Sequence, residues 1–282
     1  GERAFQVFNY AFLMLIMLVC LYPVWYVAVA SFSNSNALTQ HSGLLFRPIG
    51  FSMDAYKKVF QNPMIGKGYL NTLFILIIGV FLDLVMTSLG AYFLSRKRVM
   101  FKKPIMLFIV FTMFFSGGMI PFYINLKELH LTNTLWGLII PFMITTSNLI
   151  ILRTSFESIP ESLIEAAKID GCGDVMTLVK IILPLSKASL ATISLFYAVQ
   201  HWNEFLRATI YINTDSKWPL QVVLRNIIDM VANDLNSGGE VFMNPENFKM
   251  ATIVITVFPI ICVYPFLQKY FVKGVMIGSV KG

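Results

Sequence analysis

The chain is short of charge. Of its 282 residues only 13% are Asp, Glu, Lys or Arg, and 56% are hydrophobic, against about 25% and 45–50% in soluble domains. That excludes an ordinary water-soluble globule and places the chain among membrane proteins. Cysteine is scarce too. Cys20, Cys172 and Cys262 are odd in number and far apart, which argues against a disulfide framework. The three histidines, His41, His130 and His201, form no ligand-spaced group, so no metal site is expected. No Gly-x-x-x-x-Gly-Lys-Ser/Thr run occurs; Gly66-Lys67 is followed by Gly68 and lacks the upstream glycine. Any energy from ATP therefore has to come from another chain. A membrane enzyme would want clustered polar groups at one membrane face, such as His with carboxylates. None is visible, and no catalytic residue is named.

What is present is a set of long apolar runs. A spanning helix needs about 20 mostly apolar residues, and six stretches qualify: Phe8–Ser31, Tyr69–Leu94, Pro104–Leu126, Thr132–Leu152, Ile182–Trp202 and Met250–Gln268. The first is too long for a signal-peptide core and lacks a small-residue cleavage pattern, so it is read as a retained helix. Arg96, Lys97, Arg98, Lys102 and Lys103 crowd between the second and third runs, which marks a cytoplasmic turn. Six spans then put both termini inside, with residues 153–181 inside and residues 32–68 and 203–249 outside. The net charge of +7 reports this topology and anionic lipid, and no nucleic-acid partner is called for. The expected fold is all-α: one polytopic membrane domain over residues 1–282.

The inner segment 153–181 is polar where the rest of the chain is not. Ser158 and Glu161 have the spacing of a capping box, with Pro160 in the first turn. Residues 162–169 make about two helical turns, and Gly171 falls where a left-handed helix end would sit. Asp174 is placed to cap a second helix, which Pro184 kinks or ends. Leu163, Ile164, Ala167 and Ile169 are set to face the bundle or a partner, and Glu161, Glu165, Lys168 and Asp170 to face water. Small Ala166 and Ala167 leave room for another surface. An amphipathic connector lying at the membrane interface explains the same pattern.

Glu165-Ala166-Ala167, then Gly171, Ile181, Leu183 and Pro184 together resemble the EAA loop of permease subunits in bacterial ABC importers. The loop's place between the fourth and fifth of six runs matches that family. "LGAYFLSRKRVMFKK", "SGGMIPFYINLKELHLTNTLWGLIIP" and "LFYAVQHWNEF" extend the resemblance to the carbohydrate-uptake branch, similar to the smaller maltose-type permease. "SGGMIPFYI" resembles members that handle oligosaccharides, including acidic ones such as alginate.

The resemblance implies a type I importer permease in the bacterial cytoplasmic (inner) membrane. Its implied partners are a second permease subunit, two ATPase subunits, an extracytoplasmic sugar-binding protein and membrane lipid. ATP and Mg would belong to the ATPases, with no cofactor in this chain. Glu165, Ala166, Ala167, Asp170 and Gly171 are the implied ATPase-coupling residues. The long outer segment would reach the binding protein, with Asn236, Ser237, Gly238, Gly239 and Glu240 as its contact region; a solvated loop without a docking role is the plain alternative.

Within the apolar runs or at their ends, Asp83, Asn148, Trp202 and Asn203 are the candidates for a translocation path. Three of them have a plainer reading. Asp83 can pair with a neighbouring helix rather than relay protons, Trp202 can anchor at the interface, and Asn148 can bond between helices. A stand-alone secondary transporter or channel is the competing class. It usually shows more spans, internal repeats or several intramembrane charges, and none of these is visible.

Overall fold

The computed structural model describes residues 2–97, 99–237 and 245–279. Among them the fold is all-α, and the only extended pairing is an isolated bridge between Ser33 and Phe51. In chain order the main helices are α1 (Glu2–Ser31), α2 (Pro63–Ser95), α3 (Lys102–Phe114), α4 (Met119–Glu128), α5 (Thr146–Glu157) and α6 (Glu161–Ile169). They continue as α7 (Asp174–Leu185), α8 (Lys187–Trp202), α9 (Leu220–Ser237) and α10 (Pro245–Ser279).

Three of these elements are single helices long and apolar enough to cross a bilayer: α1, α2 and the Glu246–Val263 stretch of α10. The other three apolar runs are broken. α3 and α4 meet at 113°, Leu135–Phe142 meets α5 at 47°, and α7 meets α8 at 87°. Each break has a chemical cause. Gly118, at φ +86, starts α4 in a backbone region that side-chain-bearing residues avoid. Pro141 lies in the 3₁₀ stretch Ile140–Phe142 ahead of α5. Pro184 cannot donate to the carbonyl four residues back and crowds it, and the preceding turn, Leu178–Ile182, has opened into a π-helix.

The chain forms two compact units. One gathers the residues up to Gly66 with Val222–Cys262. Most of α1 in this unit is exposed along its apolar length, as suits lipid, and it becomes buried only at Val29, Ala30 and Ser31. There Leu38 and Leu45 complete a small core, with Tyr26, Ile49 and Met250 packed against it. Asn247 Nδ2 donates to Ser33 O at 3.0 Å, tying the start of α10 to the turn after α1.

The other unit gathers Lys67–Gln221 with the residues from Val263 on. Its core joins the C-terminal end of α2 (Ala91, Tyr92, Leu94) to α5 (Leu149, Leu152, Phe156), α6 (Ile164), α7 (Leu178, Ile182) and α8 (Ile193). The polar segment is thus built into the same core as the apolar helices.

The described part of the stretch after α8 is not an open loop. Leu206–Tyr211 is helical, and residues 212–220 are strapped down. Asn133 Oδ1 accepts from the Asn213 and Thr214 amides at 3.2 and 3.1 Å, and its Nδ2 donates to Thr214 Oγ1 at 2.9 Å. Lys217 Nζ donates to Asn133 O at 2.7 Å. Asn71 Nδ2 donates to the carbonyls of Ser216 and Trp218 at 3.0 and 3.1 Å. In α9, Val223 and Ile227 are buried one turn apart while Arg225 pairs with Asp229 on the wetter side at 3.0 Å, the pattern of a half-buried helix.

Candidate functional site

The EAA segment forms a helix–turn–helix. α6 starts after Pro160, whose φ of −55 is preset for a helix entrance. The expected capping box is not made: Ser158 Oγ donates back to Ser155 O at 2.7 Å, closing α5 rather than opening α6. Pro160 drives this outcome, because the residue before a proline is pushed out of the helical region and separates Ser158 from the new helix.

The end of α6 follows the spacing of its glycine. Asp170 is the C-cap and Gly171 adopts φ +80. The Cys172 amide donates to Ala167 O at 2.9 Å and the Gly171 amide to Lys168 O at 3.1 Å, the two bonds of a Schellman ending. α7 then begins with Asp174 as its first helical residue and Gly173 as the cap. The cap therefore lies one position before the expected Asp174. Asp174 instead faces Tyr92, whose hydroxyl donates to its Oδ1 at 3.3 Å, and Lys168 at 4.0 Å.

Burial divides α6 into two faces. Ile164 and Ala167 are each 5% exposed and belong to the core. Glu165, Ala166, Lys168, Ile169 and Asp170 are exposed. Ile169 is 86% exposed and Leu163 44%, so two large apolar side chains expected to have a choice of partner are left open by this chain. Ala167, by contrast, has no room for a further surface.

A cleft of about 460 Å³ lies between the end of α2 and α6, lined among others by Tyr92, Arg96, Lys97, Glu161, Glu165 and Lys168. Lys97 pairs with Glu161 across it. The hydrogen bond from Glu161, and then its charge, hold the Lys97 ammonium above the usual lysine value. Arg96 lies over the Tyr92 ring at 4.8 Å. Close by, Glu157 Oε1 accepts from Lys102 Nζ at 2.7 Å and Arg153 Nη2 at 2.8 Å, bracing α3 on α5. The basic turn and the EAA segment are therefore cross-braced by charge as well as by the core.

The four translocation candidates have separate environments. Asp83, in α2, is fully buried and accepts or shares a proton with His201 Nε2 at 2.7 Å. Asn148 is buried in the first turn of α5. Trp202 is 6% exposed and meets Tyr69 edge-on at 6.4 Å. Asn203 is exposed and turns back, its Nδ2 donating to Val199 O at 2.9 Å. His201 is the residue the sequence reading passed over. The available signal was that a buried carboxylate demands a partner, and His201 and Lys187 are the basic residues of the 182–202 run. Of the outer contact region, Asn236 and Ser237 end α9, while Gly238, Gly239 and Glu240 lie outside the described residues.

Residues 12–277 match the family described as binding-protein-dependent transport system inner membrane component. The polygalacturonan/rhamnogalacturonan transport system permease protein YtcP of Bacillus subtilis (strain 168) is 44% identical over 285 residues, covering 100% of this chain and 99% of that one. Protein LplC of the same organism is 43% identical over 285 residues, covering 99% and 96%. Among solved structures, a chain of a bacterial ABC transporter involved in the import of the acidic polysaccharide alginate superposes with TM-score 0.88 at 36% identity, covering 96% of this chain and 97% of that one.

Proposed function

Because the chain belongs to the family of binding-protein-dependent transport system inner membrane components, as a sugar-import permease whose ATPase is a separate subunit, we propose that it conducts acidic oligosaccharides and couples to that ATPase through α6. The helix–turn–helix carries the coupling reading. α6 is welded to the core through Ile164 and Ala167, while Leu163, Ala166 and Ile169 are presented outward beside Glu165. A surface that is rigid behind and apolar in front suits transmission of force from another protein. The partners are two ATPases, a second permease and a substrate-delivering binding protein, with residues 236–240 near the last. In this reading each bent pair counts as one crossing with the three single helices, and an even number of crossings would leave both termini on the cytoplasmic side.

Uronate-bearing oligosaccharides are the substrate class. Relatives 44% and 36% identical over nearly the whole chain carry names for polygalacturonan/rhamnogalacturonan transport and alginate import. The test is ATP hydrolysis by the assembled complex in liposomes, with its binding protein loaded with a galacturonate trisaccharide, an alginate trisaccharide or neutral maltotriose. Stimulation by either acidic sugar and not by maltotriose is expected. Equal or greater stimulation by maltotriose would remove the acidic-substrate reading.

A further inference from the structure

Asp83 and His201 are not an isolated buried pair. On α2, Gly79, Asp83 and Thr87 follow one another at four-residue spacing, and so do Tyr197 and His201 on α8, so each set lies on one helix face. The two faces meet in opposite directions. Asp83 Oδ2 lies 2.7 Å from His201 Nε2, and one turn along, Thr87 Oγ1 lies 2.7 Å from Tyr197 Oη. Tyr197 Oη also accepts from the Thr145 amide at 3.1 Å, just ahead of α5. Asp83, Thr87, Tyr197 and His201 are each no more than 1% exposed. Gly79 completes the seam from the other side: a Cβ there would stand 2.6 Å from His201 Nε2, so only glycine lets the imidazole lie against α2.

The seam sits at a mechanically useful place. α8 is joined at its inner end to α7 through the 87° break at Ser186, and α7 packs in the core with α6. α8 is therefore the first long helix beyond the EAA segment, and the polar seam lies toward its far end. Sliding α8 along α2 would separate a buried carboxylate from its partner in an apolar medium, where no water replaces the lost bond.

We propose that Asp83 and His201 are positioning residues that make α2 and α8 move as one body during transport, so that motion entering at α6 reaches the far parts of both helices together. This rests on the reading that α6 takes up the ATPase's motion. Neither residue has to touch the solute for the pair to matter.

The experiment places spin labels at Leu70 on α2 and Val199 on α8, both exposed, with Cys20, Cys172 and Cys262 replaced by serine. The distance between them is measured by pulsed electron resonance in the assembled complex, with and without ATP and vanadate. The expected result is an unchanged distance in the otherwise wild-type protein. Asp83→Leu should introduce a nucleotide-dependent shift of about 2 Å or more, the scale of helix slides at packed interfaces. Asp83→Asn, which keeps an acceptor for the Nε2–H, should restore the wild-type result. A nucleotide-dependent shift without any substitution at the pair overturns the proposal, and needs no variant at position 83 to fold. An Asp83→Leu complex indistinguishable from wild type overturns it equally. ATP hydrolysis is read in the same samples: a wild-type complex that hydrolyses none removes the coupling premise itself, a different failure from a moving distance.

Discussion

Replacing Gly171 by alanine should loosen the end of α6 by an amount the structure allows to be worked out. The two bonds that close the helix, Cys172 to Ala167 and Gly171 to Lys168, are each worth about 1 kcal/mol net. A margin of about 2 kcal/mol leaves about 3% of the ends frayed. A Cβ at Gly171 would meet nothing within 4 Å, so the penalty is purely that of φ +80, about 1–2 kcal/mol for an L-residue. The capped fraction then falls to roughly 50–85%. Gly171→Pro removes a bonding amide and forbids positive φ, which takes the capped fraction below about 20%. Asn tolerates this backbone region best among side-chain-bearing residues. The expected order is Gly, Asn, Ala, Pro, both in amide-exchange protection of Cys172 and in solute transported per ATP hydrolysed. Uptake and protection at the wild-type level in Gly171→Pro would refute the reasoning from cap to coupling.

Four further predictions follow from burial and bonding. Ala166→Trp, on the open face of α6, should leave membrane insertion and thermal stability intact while transport per ATP falls at least about tenfold, which needs only about 1.4 kcal/mol of lost contact. Ala167→Trp, at 5% exposure, should instead lower the yield of folded protein, because overpacking a core typically costs about 1–3 kcal/mol; normal thermal stability in that variant would contradict the packing. Asn133→Ala removes three side-chain hydrogen bonds at a residue with φ +55, so a loss of about 2–4 kcal/mol is expected, read as protease sensitivity of residues 212–219. The Lys97–Glu161 brace should be indifferent to pH through the neutral range. Its raised lysine value means that its contribution is complete below the ordinary lysine pKa of 10.5 and lost only as pH climbs past the folded-state value. The difference in melting temperature between wild type and Lys97→Gln should therefore match at about pH 6 and about pH 9, and a brace that weakens across that interval would be wrong as drawn.

How far the sequence could be read depended on the range of each signal. The α6 ending was legible because it is local: Gly171 stands two residues beyond Ile169, where the backbone needs a left-handed residue. The all-α class was legible from the length of the apolar runs. The breaks at Gly118, Pro141 and Ser186 were not, because a hydropathy window registers how apolar a run is and not the path it takes. "SGG" in the third run was available as a turn signal, but its apolar neighbours on both sides hid it. The capping box failed for a subtler reason: the Ser-x-x-Glu spacing was correct, yet Pro160 sits inside it and gives Ser158 to the preceding helix. Asp83 announced that it needed a partner, but the partner is 118 residues away, and no local pattern selects His201 over Lys187. The stretch after α8 reads as a long loop because its acids suit water. Its order comes from Asn133 and Asn71, which lie some 80 and more than 140 residues upstream.

The central claim, that the open face of α6 bears on the ATPase, is tested most directly by cross-linking. Single cysteines at Ala166, Ala167 and Ile169, introduced after serine replacement of Cys20, Cys172 and Cys262, would be labelled with a benzophenone maleimide and illuminated in membranes holding the assembled complex. Adducts with the ATPase subunit from positions 166 and 169, and little from the buried position 167, are the result the structure calls for. Complete absence of adducts at 166 and 169, in a complex that hydrolyses ATP and transports, would contradict it.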